Sequence, residues 1–473
     1  MPLQSAPAQP TVRHPIRTEL IALCTLAWPM LVGQLANVGM SVADVAMAGH
    51  ASAQDLAGVS LGASIWALLL VTLIGLMMAV NPIVSQMVGA QAYDRIGHVV
   101  RQAMWKGLGV GLAGLLVAQA CAFIFDVMAL EPAVRDIAKT FTRVISFALP
   151  AFACYRVLYG YSTSLNQTRP LMVIALMALL LNIGINWLLI FGHWGLPKLG
   201  GVGCAWSTLL CVWFQLLAQI AWMRRGKAYR STWPFARFEP PHWPDINNLL
   251  KLGLPIGITY FAEASAFSLI ALLVAPFGSA QVGAHQIALN FASLVFMLPM
   301  SLGMALLTRV GQALGAGDPA AARFRAWLGV SAAMAGTLVT ATGTAWFNHP
   351  IASAYTSDLT IATIAAQLLL LSAIFQMSDA IQVATSCAIR AYKVTRPPMV
   401  IHLAAFWGFA LPLGCALGLG PLWLSAPLHA ALPWWPAAPL AAQGFWIALA
   451  VGLTVAAVAL TWLLRALANA QAA

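Results

Sequence analysis

The sequence predicts an all-α integral membrane protein with twelve transmembrane helices in two pseudo-symmetric six-helix bundles. Of its 473 residues, 61% are hydrophobic and only 8% are charged, and the mean hydropathy is +0.83. A soluble domain carries about 25% charged residues, so this composition excludes a soluble globular protein, a disordered chain and a coiled coil. Long apolar runs fill the chain, and three short motifs of its first half return in its second half.

Apolar runs between turn and charge clusters mark the predicted spans, each at least about 20 residues long. In the first half they cover 20–45, 56–84, 99–124, 137–161, 170–192 and 201–223. In the second half they cover 249–276, 285–308, 324–347, 361–387, 397–420 and 441–465. The first run is longer than the roughly 7–15 apolar residues of a signal-peptide core, so we expect it to be a retained span.

Basic residues are distributed unequally between the two predicted sides of the membrane. Of the 24 Lys and Arg residues, only four fall on one side, namely Arg135, Lys139, Arg143 and Lys198. Because cytoplasmic loops carry the excess of Lys and Arg, both termini are predicted to be cytoplasmic. The net charge of +11 then reflects the excess of Lys and Arg in cytoplasmic loops, so no nucleic-acid partner is expected.

Three motifs recur at a nearly constant spacing. LAWP at 26–29 corresponds to LGLP at 252–255, and QMVGA at 86–90 corresponds to QALGA at 312–316, both 226 residues later. TRPLMVI at 168–174 returns as TRPPMVI at 395–401, 227 residues later. The repeat predicts two homologous six-span halves that lie parallel, related by an axis along the membrane normal.

The repeat and the linker composition divide the chain into five parts. These are an N-terminal tail (1–19), an N-lobe (20–223), a basic cytoplasmic linker (224–248), a C-lobe (249–465) and a C-terminal tail (466–473). A Pro- and Trp-rich insertion at 421–440 falls on the outer side of the C-lobe. Its residues Trp423, Trp434 and Trp435 are expected at the level of the lipid headgroups.

Three carboxylates, Asp44, Glu263 and Asp379, lie inside predicted spans. A charge at the bilayer centre costs at least ~2.5–3.5 kcal/mol, so each carboxylate needs a protein, ion or water partner. Amides and hydroxyls recur at helical spacing on or near the same spans, namely Gln34, Asn37 and Ser41; Asn182 and Asn186; Thr259; Gln286, Asn290 and Ser293; Gln376, Gln382 and Ser386. These polar groups either build functional sites or only join helices by hydrogen bonds. For Asp44, near the outer end of its span, an interfacial position is the alternative.

Other signals favour packing over chemistry. The GVGLAG segment at 109–114 fits a dinucleotide-binding pattern, but it lies inside a span with no preceding strand, so it predicts close helix contact. His285 is expected to be a packed or interfacial histidine. The sequence contains no Walker A, HExxH or GxSxG motif, so we expect neither an enzyme nor a bound cofactor.

Several segments resemble the multidrug and toxic compound extrusion (MATE) family, in its NorM-type branch. They are residues 28–50, 56–61, 284–290 and 379–383, together with Glu263, so the resemblance covers nearly the whole chain. It implies a V-shaped pair of lobes in a bacterial inner membrane. It also implies export of bulky organic cations in exchange for Na⁺ or H⁺, by a cavity that opens alternately to either side.

The same resemblance implies roles for individual residues. Asp44, Asn182, Asn186 and, with them, Thr208 would form a cation or proton site in the N-lobe, and Glu263 and Asp379 would form the C-lobe cation site, holding Na⁺ if the coupling ion is sodium. The substrate path would include Gln34, Asn37, Tyr260, Gln286, Asn290 and Gln382. Carboxylate, amide and hydroxyl oxygens suit a hard cation such as Na⁺, so residue chemistry and resemblance agree. The expected partners are cationic or amphiphilic drugs and the lipid bilayer, and the chain is expected to be a monomer.

Three other functions remain as alternatives. A lipid-linked precursor flippase of the same fold would need a strongly cationic cavity. An intramembrane aspartyl protease using Asp44 and Asp379 would need a paired motif such as GxGD, which the sequence lacks. A passive channel is less consistent with a two-fold repeat that carries midplane carboxylates, because this combination is typical of alternating access.

Overall fold

The computed structural model describes residues 16–128, 130–195, 197–420 and 438–471. Within these ranges, eleven helices are long and apolar enough to cross a membrane, and one bent helix pair adds a twelfth. The predicted fold class is thereby confirmed. Most of the predicted insertion at 421–440, with its three tryptophans, lies outside the described residues.

The first half of the chain forms six spans. They are α1 (Ile16–Ala51), α2 (Ala53–Met77, continued by Val80–Gly89), α3 (Tyr93–Cys121), α4 (Pro132–Ser146 and Leu149–Ser164), α5 (Arg169–Phe191) and α6 (Val202–Arg225). The two parts of α4 meet at an angle of 45°. Ser52 caps α2, because its hydroxyl accepts a hydrogen bond of 2.9 Å from the Asp55 backbone N–H.

The second half forms six corresponding spans. They are α7 (Trp243–Val274), α8 (Ser279–Gly315), α9 (Pro319–Trp346), α10 (Leu359–Ala391), α11 (Arg396–Leu403, Ala404–Ala410 and Leu411–Gly418) and α12 (Ala441–Ala470). The middle part of α11 is a π-helix. Asp318 and Asp358 begin α9 and α10 by accepting hydrogen bonds from free backbone N–H groups of the first turn. Each predicted span overlaps its helix, with ends that differ by several residues.

The two halves meet where the repeated QxxGA motifs lie. Gly89 on α2 packs against the carbonyl of Gln312 on α8, and Gly315 packs against the carbonyl of Gln86, so a Cβ atom at either glycine would collide with backbone. Gln86 Nε2 donates to the Ala391 carbonyl (2.8 Å), and Gln312 Nε2 donates to the Ser164 carbonyl (3.0 Å). These two hydrogen bonds are equivalent under the 226–227-residue repeat, which explains why both copies of the motif need Gln and Gly.

We call this end of the molecule, where α1 begins and α2 and α8 end, the basic end. An ion cluster also joins the halves there. Glu19 of α1 is 6% exposed and accepts hydrogen bonds from Arg309 Nη2 (2.5 Å) and Arg325 Nη2 (2.9 Å). The basic end is therefore closed by both backbone contact and buried charge.

The linker between the halves packs on α3. Arg101 Nη2 donates to Glu239 Oε1 (2.7 Å), and Trp105 Nε1 donates to the Glu239 carbonyl (2.9 Å). The hydrogen bond from Arg101 is the main cause that lowers the pKa of Glu239 to about 2. This anchored carboxylate holds the linker against the N-lobe.

Candidate functional site

Three helices of the N-lobe place polar side chains around Asp44. Asn182 and Asn186, one turn apart on α5, donate to Asp44 Oδ1 at 3.0 and 2.6 Å. Thr208 on α6 donates to Oδ2 at 2.7 Å. The structure therefore brings together all four residues that the resemblance implies for the N-lobe site.

The Asp44 site is enclosed and supported by a second layer of contacts. Asp44 is 9% exposed, and both asparagines are fully buried. Ser207 Oγ accepts from Asn182 Nδ2 (3.2 Å) and donates to the Asn182 carbonyl (3.1 Å), which fixes the amide that faces Asp44. An interfacial carboxylate would be exposed to solvent, so this burial argues against that alternative.

The electrostatics of the N-lobe site follow from its donors. An ionised carboxylate is only an acceptor, and three neutral donors point at the two oxygens of Asp44. No Lys or Arg of the described residues forms an ion pair with it. The donors therefore stabilise a negative charge without neutralising it, which leaves a site suited to a small cation.

The C-lobe arrangement around Asp379 on α10 is different. Asp379 is 5% exposed, and its Oδ1 atom has no hydrogen-bond partner within the described part of the chain. Glu263 on α7 is partly buried and interacts electrostatically with Asp379. Two predicted carboxylates thus share one lobe, and at least one of their oxygens is buried without a hydrogen-bond partner in the described part of the chain.

A buried cation lies close to this pair. Arg390 on α10 is 5% exposed, and its guanidinium lies over the ring of Tyr260 at 5.2 Å from the centroid. Its Nη1 atom donates to Tyr260 Oη (3.4 Å) and contacts Met78 Sδ of the N-lobe (3.8 Å). Tyr260 is one turn from Glu263 on α7, so Arg390 connects the C-lobe site to the interface between the halves.

Three basic residues that the charge distribution predicts in cytoplasmic loops are instead buried inside helices. Lys106, Arg156 and Arg390 lie within α3, α4 and α10 and are 2%, 7% and 5% exposed. Lys106 Nζ donates to the Leu76 carbonyl (2.8 Å), just before the break in α2. The guanidinium of Arg156 lies 4.5 Å from the centroid of the Tyr159 ring. Each of these cations is held by a protein partner.

The predicted substrate-path residues differ in accessibility. Gln286 and Asn290 on α8 are exposed, and Gln34, Asn37 and Tyr260 are partly exposed. Asn37 Oδ1 accepts a hydrogen bond of 3.2 Å from Gln215 Nε2 on α6. Gln382, in contrast, is 1% exposed and lies inside the C-lobe.

Two packing predictions can be compared with the structure. His285 is fully buried, and its Nδ1 accepts a hydrogen bond from Trp446 Nε1 (3.1 Å), as expected for a packed histidine. A Cβ at Gly111 would lie 2.6 Å from Pro150 Cα, so this glycine allows α3 to approach α4. A Cβ at Gly109 would have no neighbour within 4 Å, so close helix contact accounts for only part of the 109–114 motif.

Sequence analysis missed a row of hydroxyls on α9. Thr337, Thr340 and Thr344 recur at steps of three and four, which places them on one helix face. Gln376 on α10 contacts two of them, since its Nε2 donates to Thr344 Oγ1 (3.2 Å) and its Oε1 accepts from Thr340 Oγ1 (3.5 Å). The spacing of the threonines was the signal that could have revealed this face.

Comparisons with known proteins agree on one family. The MatE family model matches residues 29–188 and 255–415. Multidrug resistance protein PmpM of Pseudomonas aeruginosa is 42% identical over 458 residues, which cover 96% of this chain and 93% of that protein. Multidrug resistance protein NorM of Vibrio vulnificus is 37% identical over 456 residues, covering 96% and 97%.

Solved structures with a similar fold are more distant in sequence. The eukaryotic MATE transporter AtDTX14 has a TM-score of 0.85 at 19% identity, over 96% of this chain and 98% of that one. A MOP superfamily transporter from Pyrococcus furiosus, described as having a binding pocket of reverse polarity, has a TM-score of 0.83 at 16% identity, over 96% and 97%. At these identities the likeness concerns the fold alone.

Proposed function

The chain belongs to the MatE family of multidrug and toxic compound extrusion transporters, and we propose that it is a multidrug antiporter coupled to Na⁺ or H⁺. In this proposal it exports bulky organic cations across the bacterial inner membrane by alternating access. The observation that carries the proposal is Asp44, a buried carboxylate with three neutral donors and no basic partner among the described residues.

Exchange of ion and drug follows from the charge of the buried carboxylates. A Na⁺ ion or a proton neutralises a carboxylate that a cationic drug would also attract, so ion and drug compete for the same charge. If each favours a different conformation, their differential affinity drives exchange. The carboxylates of the C-lobe, Glu263 and Asp379, supply a second set of such groups.

Alternating access requires that one end of the molecule is closed while the other is open, and the contacts at the basic end support such a closed end. The reciprocal packing of Gly89 and Gly315 and the Glu19 ion cluster close that end. Gln286 and Asn290, in the part of α8 remote from the basic end, are exposed. With the basic end in the cytoplasm, as the Lys and Arg distribution predicts, this arrangement corresponds to a state that is closed on the cytoplasmic side.

The buried cations do not favour a flippase. A pyrophosphate-binding cavity would need guanidinium or ammonium groups free to contact the ligand. Lys106 and Arg390 instead donate to Leu76 and Tyr260, and Arg156 lies over the ring of Tyr159. The carboxylate sites therefore remain the better guide to the charge of the substrate.

The test is transport into inverted membrane vesicles, where uptake of ethidium corresponds to export from the cell. Na⁺ and pH gradients are imposed separately, and we expect one of them to drive uptake that Asp44→Asn abolishes. Asp136→Asn is the matched control, because the Asp136 side chain is 71% exposed. Uptake that ignores both gradients, or an Asp44→Asn protein that transports like wild type, would contradict the proposal.

A further inference from the structure

Buried polar side chains line the contact between α9 and α10 in the interior of the C-lobe, and we call this row the seam. On α9, the side chains of Thr337 and Thr344 are 1% and 2% exposed, and Thr340 shares their face. Asn348, which begins the short helix Asn348–Tyr355 after α9, is 8% exposed. On α10, the polar residues of one face are at most 5% exposed, namely Ser372, Gln376, Asp379, Gln382 and Ser386. Burying this many polar groups inside a membrane-embedded lobe costs free energy unless each group has a hydrogen-bond partner.

The relative position of α9 and α10 along their axes places Asp379, of the proposed C-lobe ion site, next to the polar face of α9. The helices α9 and α10 are antiparallel, and the contacts of Gln376 with Thr340 and Thr344 set their register. One turn further along α10 lies Asp379, which is thereby brought to the level of Thr337. In the other direction the seam reaches Asn348, whose Nδ2 donates to the Ala366 carbonyl (3.2 Å) near the end opposite the basic end.

Several polar atoms of the seam have no hydrogen-bond partner within the described part of the chain. They are Thr337 Oγ1, Ser372 Oγ and Asp379 Oδ1, and, on the basic-end side of Asp379, Gln382 Nε2 and Ser386 Oγ. Leaving a buried polar group unpaired costs about 1–3 kcal/mol, and buried polar groups of native proteins are satisfied by protein or by ordered water. A seam used only to join α9 to α10 would pair its own groups, as Gln376 does.

The chemistry of these side chains matches a small hydrated ion. Serine and threonine hydroxyls rotate and can both donate and accept, so a row of them can pass a proton along water or replace part of the hydration shell of Na⁺. The α10 side chains of the seam, at most 5% exposed, are too deeply buried to contact a bulky drug. Gln286 and Asn290, which are exposed, lie on a different helix.

We propose that the seam between α9 and α10 is a hydrated path by which the coupling ion moves between the outer side of the membrane and Asp379. This inference rests on the proposed ion-coupled antiport, and it adds a route for the ion that is separate from the drug cavity. The hydroxyls of Thr337 and Ser372 would hold the ion or its water along this route. Thr344 and Asn348 form the outer part of the route. Drug and ion thereby reach the C-lobe from different directions.

The test removes single hydroxyls and measures ion-driven transport and drug binding separately. Thr337→Val and Ser372→Ala delete one polar group each, and Thr337→Ser restores the hydroxyl. Ser378→Ala is the matched control, because Ser378 is on α10 but is bonded to Thr454 of α12 (2.7 Å). The readouts are the initial rate of gradient-driven ethidium uptake, ion release on drug addition, and the equilibrium Kd for ethidium at a fixed ion concentration.

We expect Thr337→Val and Ser372→Ala each to slow driven uptake and ion release by about tenfold, the effect of losing one hydrogen bond to the moving ion or its water. The Kd for ethidium should stay at the wild-type value, and Thr337→Ser and Ser378→Ala should transport like wild type. If Thr337→Val does not fold, Thr344→Val is measured in its place, with the same expectation.

Three results would overturn the seam proposal. These are valine variants with wild-type rates, a Thr337→Ser protein as impaired as Thr337→Val, or a Kd that weakens in parallel with the rate. A wild-type protein that responds to neither gradient would instead refute the proposed function. The two failures are therefore distinguishable.

Discussion

Asp44 in the N-lobe and Asp379 in the C-lobe are both buried carboxylates, but their surroundings differ. Asp44 accepts three hydrogen bonds from neutral side chains, whereas Asp379 keeps an oxygen without a partner in the described chain. The N-lobe therefore stabilises its anion by protein donors alone. In the C-lobe the nearby Glu263 repels a negative charge on Asp379, so stabilisation of that charge is left to an entering ion or water molecule, while Arg390 favours the charge on Glu263.

The repeat shows that the buried carboxylates of the two halves occupy non-equivalent positions on one scaffold. At the 226-residue offset Asp44 corresponds to Ile270, and Glu263 corresponds to Asn37. At the 227-residue offset Asp379 corresponds to Phe152. None of the three carboxylates has an acidic counterpart, so the two halves share a scaffold but not the positions of their buried carboxylates.

Asp44→Asn should have the largest effect on transport. The Asn carbonyl can still accept from Asn182 and Asn186, and its amide can donate to a rotated Thr208 hydroxyl, so we expect the protein to remain folded and inserted. The negative charge is lost, and ion-driven uptake should fall by more than about tenfold, the equivalent of ~1.4 kcal/mol. Ethidium uptake and the elution profile in detergent measure the two effects, and near-normal transport would refute the N-lobe site.

Glu263→Gln and Asp379→Asn should each remove ion coupling, and the double variant should be little worse than either single one. Two carboxylates that interact in one lobe act as a unit, and members of such a unit are non-additive. Initial rates of driven uptake for the three variants test this. Additive losses, or a Glu263→Gln protein that still responds to the gradient, would mean that the two groups act separately.

Thr208→Val should have a smaller effect than Asp44→Asn. Thr208 donates to Asp44 Oδ2 at 2.7 Å, and a hydrogen bond to a charged group contributes about 1.5–3 kcal/mol. We expect slower driven uptake for Thr208→Val and near-normal uptake for Thr208→Ser, which keeps the hydroxyl. Equal rates for the valine and serine variants would show that this donor is not needed at the site.

Gly89→Ala and Gly315→Ala test the part of the molecule where the lobes are alike. A Cβ at either position collides with a backbone carbonyl of the other half, and overpacking of this kind costs about 1–3 kcal/mol. Both variants should lower the Tm in detergent by similar amounts, because the contacts are reciprocal. The control is Gly109→Ala, since that Cβ would meet nothing within 4 Å; a clearly unequal effect of the two substitutions would contradict the symmetry.

The sequence by itself determined the number and approximate limits of the spans and the pairing of the two halves. These features depend on the length of apolar runs and on motif spacing, both of which are local properties of the chain. Hydropathy marks only the apolar middle of a helix, so α8 (Ser279–Gly315) is longer than its predicted span of 285–308. The three intramembrane carboxylates were also evident, because charge is rare in such runs.

Only the tertiary structure decided which polar groups meet. The bend of α4, the π-helix of α11 and the burial of Arg390 beside Tyr260 have no sequence signal that periodicity detects. Spacing along one helix shows which residues share a face, but the partner of that face depends on how neighbouring helices rotate and cross. That is why the Asn182–Asn186 pair was found from sequence, whereas its contact with Ser207 and the seam between α9 and α10 were not.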